Sequence, residues 1–298
     1  MKGILLVDKP AGITSHDAVD HIRKAAGIRR VGHTGTLDPR ATGLLILCLG
    51  QATRLSEFLM GLDKVYEGVI RLGVVTDSYD LDGTVTEEHP VPNLTPEQIS
   101  AAFEEFTGTI DQLPPMVSAV KIGGKRLYAL ARQGAEVERE PRRVTVLEFT
   151  LLDYAPPDVH FRVRCTRGTY ARSLAHDVGQ SLGCGGVLAG LRRTWVGHHS
   201  VEDAQPLDAL TTREDVLAHL RRVDDALDLP SVIIRRQSQR TLRNGGAIGL
   251  NDMQGECPVD SGWVQMKAES GELLALGEVA AAQPGVLIRP KRVLGGGS

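Results

Sequence analysis

The chain has 298 residues, a formal net charge of −3, 42% hydrophobic and 24% charged residues, a length that predicts one large domain with a smaller one beside it. No apolar run approaches the ~20 residues of a membrane-crossing helix, and the start Met1-Lys2-Gly3-Ile4-Leu5-Leu6-Val7-Asp8-Lys9-Pro10 is charged too soon for a secretory signal, so a cytoplasmic location is expected. Cys48, Cys165, Cys184 and Cys257 form no Cys-x-x-Cys pair, and His16 and His21 miss the spacing of a helical ligand pair, so neither a disulfide framework nor a metal is expected.

Ile4–Val7 reads as a short strand and His16–Ala26 as a helix by its spacing, with Ser15 as its N-cap. The stretch Gly32-His33-Thr34-Gly35-Thr36-Leu37-Asp38-Pro39-Arg40-Ala41-Thr42-Gly43 then sets one carboxylate on a turn dense in glycine and proline, directly before the apolar strand Gly43–Leu49. An Asp held on a stiff turn at the mouth of a strand can serve as a nucleophile or base; it can equally be an ordinary Asp-Pro turn residue. Tyr66–Leu72 alternates like a half-buried strand. Thr95-Pro96-Glu97-Gln98 starts a helix, with Thr at the cap, Pro at the first position and Gln in the capping-box place. Phe161–Cys165 alternates strictly, a strand with one basic face, and Gly168–Leu182 is a turn followed by a helix. An amphipathic helix is expected over Arg213–Leu227, ending near Leu229-Pro230. Beyond Pro230 the runs Val232–Ile234, Val264–Met266 and Val286–Ile288 alternate with Gly, Asn and Asp turns, the pattern of a small all-β module.

The mildly acidic total hides clustered arginines: Arg29-Arg30, Arg139 with Arg142-Arg143, Arg162 to Arg172, Arg192-Arg193, Arg221-Arg222 and Arg235 to Arg243. Any single pair is best read as a solvated face or an ion-pair partner, but so many clusters together raise RNA as a partner, since phosphates answer to local patches. Asp77, Asp80 and Asp82 in Thr76–Gly83 lack the spacing and closing Glu of an EF-hand, so Ca²⁺ is not expected. Gly123-Gly124-Lys125-Arg126 lacks the first half of a phosphate loop.

The Gly32–Gly43 stretch closely resembles the catalytic motif of bacterial tRNA pseudouridine synthases of the pseudouridine-55 type, G-H-T-G-x-L-D-P-x-A-T-G, and three further motifs carry the resemblance along the chain. Asp63-Lys64-Val65-Tyr66 puts Tyr66 where the family has an active-site tyrosine; read alone, Tyr66 is a core cross-strand residue. Cys165-Thr166-Arg167-Gly168-Thr169-Tyr170-Ala171-Arg172 resembles the family signature whose Arg pairs with the catalytic Asp, which would keep Asp38 ionised by lowering its pKa. Leu191-Arg192-Arg193-Thr194-Trp195-Val196-Gly197 resembles L-R-R-T-x-x-G, with Leu191 walling the base pocket.

The resemblance implies an α+β protein. A catalytic domain over 1–230 would hold a large mixed, mainly antiparallel sheet with flanking helices, and 231–298 would form a small PUA-like RNA-binding β-barrel. It implies Asp38, Tyr66 and Arg172 as catalytic residues and His33, Asp80, Leu191, Lys9 and Arg143 as substrate-binding residues, with an RNA-clasping insertion at about 122–145. The implied reaction is cofactor-free isomerisation of the T-arm uridine (position 55) of tRNA to pseudouridine by base flipping and attack by Asp38. The implied partner is the tRNA T-arm alone: a monomer with no obligatory protein partner. Two alternatives are a guide-RNA-dependent relative and a tRNA-folding chaperone whose function would survive loss of Asp38.

Overall fold

A computed structural model of the chain describes residues 1–116, 121–122, 125–126, 139–255, 257, 262–282 and 285–294. The first strand, β1 (Gly3–Lys9), is buried along almost its whole length, as a strand covered on both faces must be. The helix after it, α1 (Ser15–Ala26), is capped by Thr14 rather than Ser15. A reciprocal capping box needs an acidic or amide side chain three residues beyond the cap; Thr14 has Asp17 there, whereas Ser15 has Ala18. Gly27 ends the helix in the left-handed conformation, φ 65°.

Next come β2 (Val31–His33), β3 (Thr42–Leu49), α2 (Ser56–Gly61) and β4 (Lys64–Leu72). A small hairpin, β5 (Val74–Thr76) with β6 (Val85–Glu88), precedes α3 (Pro96–Glu105), which starts on the expected Thr95–Gln98 capping box. After β7 (Gly108–Gln112) two short strands, β8 (Lys121–Ile122) and β9 (Lys125–Arg126), pair with each other. Of the insertion expected at about 122–145, residues 123–124 and 127–138 lie outside the described residues, including Gly123-Gly124. The larger part of the chain closes with β10 (Arg142–Ala155), β11 (Asp158–Cys165), α4 (Ala171–Ser181), β12 (Gly186–Val196), β13 (His199–Ser200), β14 (Gln205–Pro206) and α5 (Arg213–Ala218).

The helix expected over Arg213–Leu227 stops at Ala218. Two backbone hydrogen bonds draw the chain away: Ile4 N–H donates to the Arg221 carbonyl (3.1 Å) and Arg221 N–H to that of Ile4 (2.9 Å). Gly3 lies so close to this crossing that a Cβ there would sit 2.4 Å from the Arg221 oxygen. Sheet pairing thus overrides a local helical preference.

The main sheet runs β14-β1-β3-β12-β4-β11-β10-β7, with β2 beside β3 and β13 beside β12. Its pairings are antiparallel except β1–β14 and β3–β12. The β3–β12 pairing covers only Thr42 with Arg192 and Gly43 with Arg193, a short seam between two longer antiparallel blocks. One core lies under α3 and α4, centred on Phe103, Phe161 and Leu174; another joins α1 to β1 and β3 through Ile22, Leu5 and Leu47.

The last part has its own six-stranded sheet and apolar core. It consists of β15 (Ser231–Ile234), the short helix α6 (Gln239–Arg243), β16 (Ile248–Gly249), β17 (Met253–Gln254), β18 (Trp263–Ala268), β19 (Leu273–Ala282) and β20 (Gly285–Val293). The strands curl into a nearly closed barrel. Leu273, Leu276 and Leu294 pack with Ile46, Leu55 and Leu59, seating the barrel on the large sheet. The fold is therefore α+β, with a large mixed sheet, flanking helices and a small C-terminal barrel.

Candidate active site

One row of residues crosses the sheet at the seam. Lys9 on β1 faces Gly43 on β3, Gly43 faces Arg193 on β12, Arg193 faces Tyr66 on β4, and Tyr66 faces Val163 on β11. The loop from β2 to β3, which carries Asp38, ends at this row. Gly43 is required in it: its φ is +99°, and a Cβ would sit 2.3 Å from the Arg193 carbonyl oxygen.

The Asp38 turn is held from several sides. Ala41 N–H donates to the Asp38 carbonyl (3.1 Å), so Asp38-Pro39-Arg40-Ala41 is a β-turn with Pro at its favoured second position. The hydroxyl of Ser15, free because Thr14 caps the helix, accepts from Leu37 N–H (2.8 Å) and donates to the Leu37 carbonyl (3.1 Å). Gly12 N–H donates to the Pro39 carbonyl (2.9 Å). Lys9, 0% exposed, donates to the carbonyls of Pro10 (2.8 Å), Ile13 (2.8 Å) and Pro39 (3.2 Å). Burial pulls its ammonium down to about 8, with the Asp38 charge opposing. Lys9 is thus a strut beneath the turn, with all its described hydrogen bonds going to backbone.

Asp38 and Arg172, 134 residues apart, meet here. Arg172 Nε lies 3.0 Å from one carboxylate oxygen of Asp38, and Nη2 donates to the other at 3.3 Å, a two-pronged grip. The Arg172 side chain is 6% exposed and that of Asp38 44%. Arg172 sits in the first turn of α4, where a cation opposes the helix dipole. Carboxylates compensate: besides Asp38, Asp80 lies 3.5 Å from Nη1, and the Ser78 carbonyl accepts from Nη1 at 3.3 Å. The start of α4 is fixed by Gln112 on β7, whose amide donates to the Tyr170 carbonyl (3.0 Å) and accepts from Tyr170 N–H (2.7 Å).

Burial pushes the Asp38 carboxyl above its ordinary value, and the Asp80 charge adds to this, while Arg172 opposes both. The sequence-based expectation was a lowered value; the correction comes from desolvation, which outweighs the guanidinium once the turn is packed.

The acidic loop is as tightly built as the Asp38 turn. Asp80 accepts from the Ser78 hydroxyl (2.5 Å) and from Asp82 N–H (3.0 Å), and Tyr79 takes a left-handed backbone, φ 64°. Leu188 N–H donates to the Tyr79 carbonyl (3.0 Å), hooking the loop to β12, and Arg40 pairs with Asp82 across the mouth of the site. Among the described residues, no group of three His, Cys, Asp or Glu is placed to hold a metal ion.

Tyr66 and Leu191 lie on facing strands, and His33 ends the strand that leads into the Asp38 loop. Tyr66 and Gly68 share a face of β4, opposite Arg193 and Leu191 of β12. Both Tyr66 and Leu191 are half-buried and pack on the core beneath α4. Burial pushes the Tyr66 phenol up, opposed by the charge of Arg193. His33, half-buried at the end of β2, is held below its ordinary value by burial and the Arg193 charge, so it is neutral at pH 7. Its Nδ1 accepts from Gly35 N–H at 3.4 Å. Arg143 is not part of this cluster. It is the second residue of β10, opposite Asp111, pairs with it at 3.5 Å and has a side chain 77% exposed. Sequence reasoning missed Arg193 and Ser15 as members of the site. For Arg193 a signal existed: it shares a strand face with Leu191, two residues earlier, and so points inward rather than to solvent.

The arrangement combines an anionic oxygen on a rigid turn, a guanidinium that orients it and a nearby phenol, a set suited to attack on carbon and to proton transfer. Residues 23–171 match the TruB family pseudouridylate synthase N-terminal domain, and residues 172–228 match the tRNA pseudouridylate synthase B C-terminal domain. The chain is 44% identical over 300 residues to the tRNA pseudouridine synthase B of Ralstonia pickettii, covering 98% of this chain and 94% of the relative. It is 53% identical over 210 residues to the Opitutus terrae protein of the same name, covering 70% and 87%. Among solved structures, a chain of a Cbf5-Nop10-Gar1 complex superposes with a TM-score of 0.75 at 26% identity, covering 98% of this chain and 85% of that one. A chain of an H/ACA RNP bound to a substrate RNA containing 2′-deoxyuridine gives 0.74 at 25%, covering 99% and 85%. The chain belongs to the TruB family of pseudouridylate synthases and is a tRNA pseudouridine synthase, an isomerase that forms pseudouridine.

Proposed function

We propose that the protein converts the T-arm uridine at position 55 of tRNA to pseudouridine, with Asp38 as nucleophile and without a cofactor. The observation that carries this reading is the grip of Arg172 on both oxygens of Asp38, at 3.0 and 3.3 Å, on a turn braced by Ser15 and Lys9. The target base leaves its stack at a cost of ~a few kcal/mol and enters beside Tyr66 and Leu191, with His33 stacking in the loop it vacates. Asp38 attacks the uracil ring or the ribose anomeric carbon. Both routes reach one balance: the N1–C1′ bond breaks, a C5–C1′ bond forms, C5 loses a proton and N1 gains one. Tyr66 assists removal of the C5 proton, and Asp80 steadies Arg172.

Lys9 contributes by supporting the turn and Arg143 by meeting phosphate at the exposed edge. Residues 1–230 act as the catalytic domain and the barrel from 231 as a PUA-like RNA-binding domain, with recognition by loop shape and stacked bases. The protein works in the cytoplasm as a monomer without an obligatory partner. The test is tritium release from tRNA labelled at uridine C5. Wild type releases it; Asp38→Asn binds tRNA but releases none. Equal release from both would make Asp38 a turn residue only.

A further inference from the structure

Arg192 and Arg193 are neighbours on β12 with different surroundings. Arg192 pairs with the Asp8 carboxylate at 2.7 Å. Arg193 is 2% exposed and, among the described residues, has no carboxylate within ion-pair distance. Its guanidinium bonds backbone carbonyls instead. Nε donates to the Leu44 carbonyl (2.7 Å) and Nη2 to the Gly35 carbonyl (3.1 Å), and in the β12–β4 register Arg193 stands directly opposite Tyr66. A buried cation without a counter-ion is costly unless other groups need it. It bonds both flanks of the Asp38 loop and faces Tyr66 across the strands.

We propose that Arg193 is a positioning residue for the pseudouridine-forming reaction: it locks the Tyr66 hydroxyl to the Asp38 loop so that both groups meet the flipped base in one fixed geometry. The inference rests on the catalytic reading above. Because a guanidinium only donates, its approach to the Tyr66 oxygen would fill a lone pair there and leave the O–H free to point elsewhere. Its charge also stabilises any negative charge that the phenol oxygen acquires while a proton moves. A lysine reaches fewer of these partners, because an ammonium is a point donor rather than a planar fork.

The test uses the full-length protein with four variants: Arg193→Lys, Arg193→Gln, Tyr66→Phe and Arg193→Gln combined with Tyr66→Phe. Single-turnover tritium release, tRNA filter binding, thermal unfolding and ¹³C NMR of ζ-carbon-labelled tyrosine are read on each. In Arg193→Gln, release slows at least ~tenfold while tRNA affinity stays within ~twofold, a split between chemistry and binding. Arg193→Lys recovers part of the rate. The double variant is no slower than Tyr66→Phe alone, the non-additivity of two residues acting as a unit. The Tyr66 ζ-carbon resonance, identified by its absence in Tyr66→Phe, moves in Arg193→Gln while the other tyrosines stay in place. Additive slowing, or a Tyr66 resonance unmoved in a folded Arg193→Gln protein, overturns the proposal. If wild type itself releases no tritium, the catalytic reading fails, while the resonance still decides whether Arg193 holds Tyr66.

Discussion

Replacing Arg172 with lysine keeps the charge but removes the fork. The guanidinium makes at least four polar contacts, with Asp38 at 3.0 and 3.3 Å, Asp80 at 3.5 Å and the Ser78 carbonyl at 3.3 Å. One ammonium retains about two of them, since it cannot span both Asp38 oxygens and reach Asp80 at once. Charge-assisted bonds contribute about 1.5–3 kcal/mol each, and these distances put them at the low end, so about 3 kcal/mol of Asp38 orientation is lost. At about 1.4 kcal/mol per tenfold, that is a roughly hundredfold fall in the single-turnover rate. Stability falls far less, because the 44% exposure of the Asp38 side chain screens the pair to ~1 kcal/mol, about 2–4 °C for a chain of this size. The assay is tritium release with enzyme in excess over labelled tRNA, beside a thermal melt. A rate within ~threefold of wild type would refute the claim that the fork orients the nucleophile.

Four further outcomes follow from the same geometry. Burial and Asp80 hold Asp38 above its ordinary value, so with Asp38 as the proposed nucleophile activity is lost as pH falls through a point above that of an ordinary carboxylate, and Asp80→Asn moves this acid limb to lower pH in a rate–pH profile. The sign for stability is the reverse: a raised folded-state value makes the charged form a cost above it, so Asp38→Asn is the more stable protein at pH 7 and the gap closes as pH falls; denaturant midpoints across pH measure this. Ser15→Ala strips both hydrogen bonds from Leu37 at ~1–3 kcal/mol, and single-turnover release should slow while filter binding holds. Gly43→Ala combines a left-handed backbone, worth ~1–2 kcal/mol, with a methyl 2.3 Å from the Arg193 oxygen; the melting midpoint should drop by more than ~5 °C, and an unchanged midpoint would show that the seam yields.

Local chemistry made much of this legible in advance. The Asp38 turn announces itself through glycine, proline and a following apolar run, and the cap of α3 through Thr95-Pro96-Glu97-Gln98, because both are encoded in adjacent residues. What depends on distant residues was harder to read. Thr14 and Ser15 compete for one cap, and Asp17 decides between them; the loser, Ser15, braces Leu37, a contact 22 residues away. The expected helix over Arg213–Leu227 ignored β1, whose backbone at Ile4 captures Arg221. The direction of the Asp38 shift was misjudged because a guanidinium can be placed from a motif, while burial exists only after tertiary packing. Arg193 went unnoticed beside Arg192, although its two-residue spacing from Leu191 puts it on the inward strand face.

The two-residue seam between β3 and β12 has a kinetic meaning. Asp38 belongs to the antiparallel block of β1 and β3, whereas Tyr66 and Arg172 are carried by the block built on β4, β11 and β12. Each block is stitched by long ladders, but few backbone bonds join one to the other. The amides of Thr42, Gly43 and Arg193 should therefore exchange with solvent through a partial opening that leaves both blocks intact. Such an opening separates Asp38 from Arg172 before the chain unfolds globally, so heating should abolish catalysis below the melting midpoint, and on refolding activity should return last.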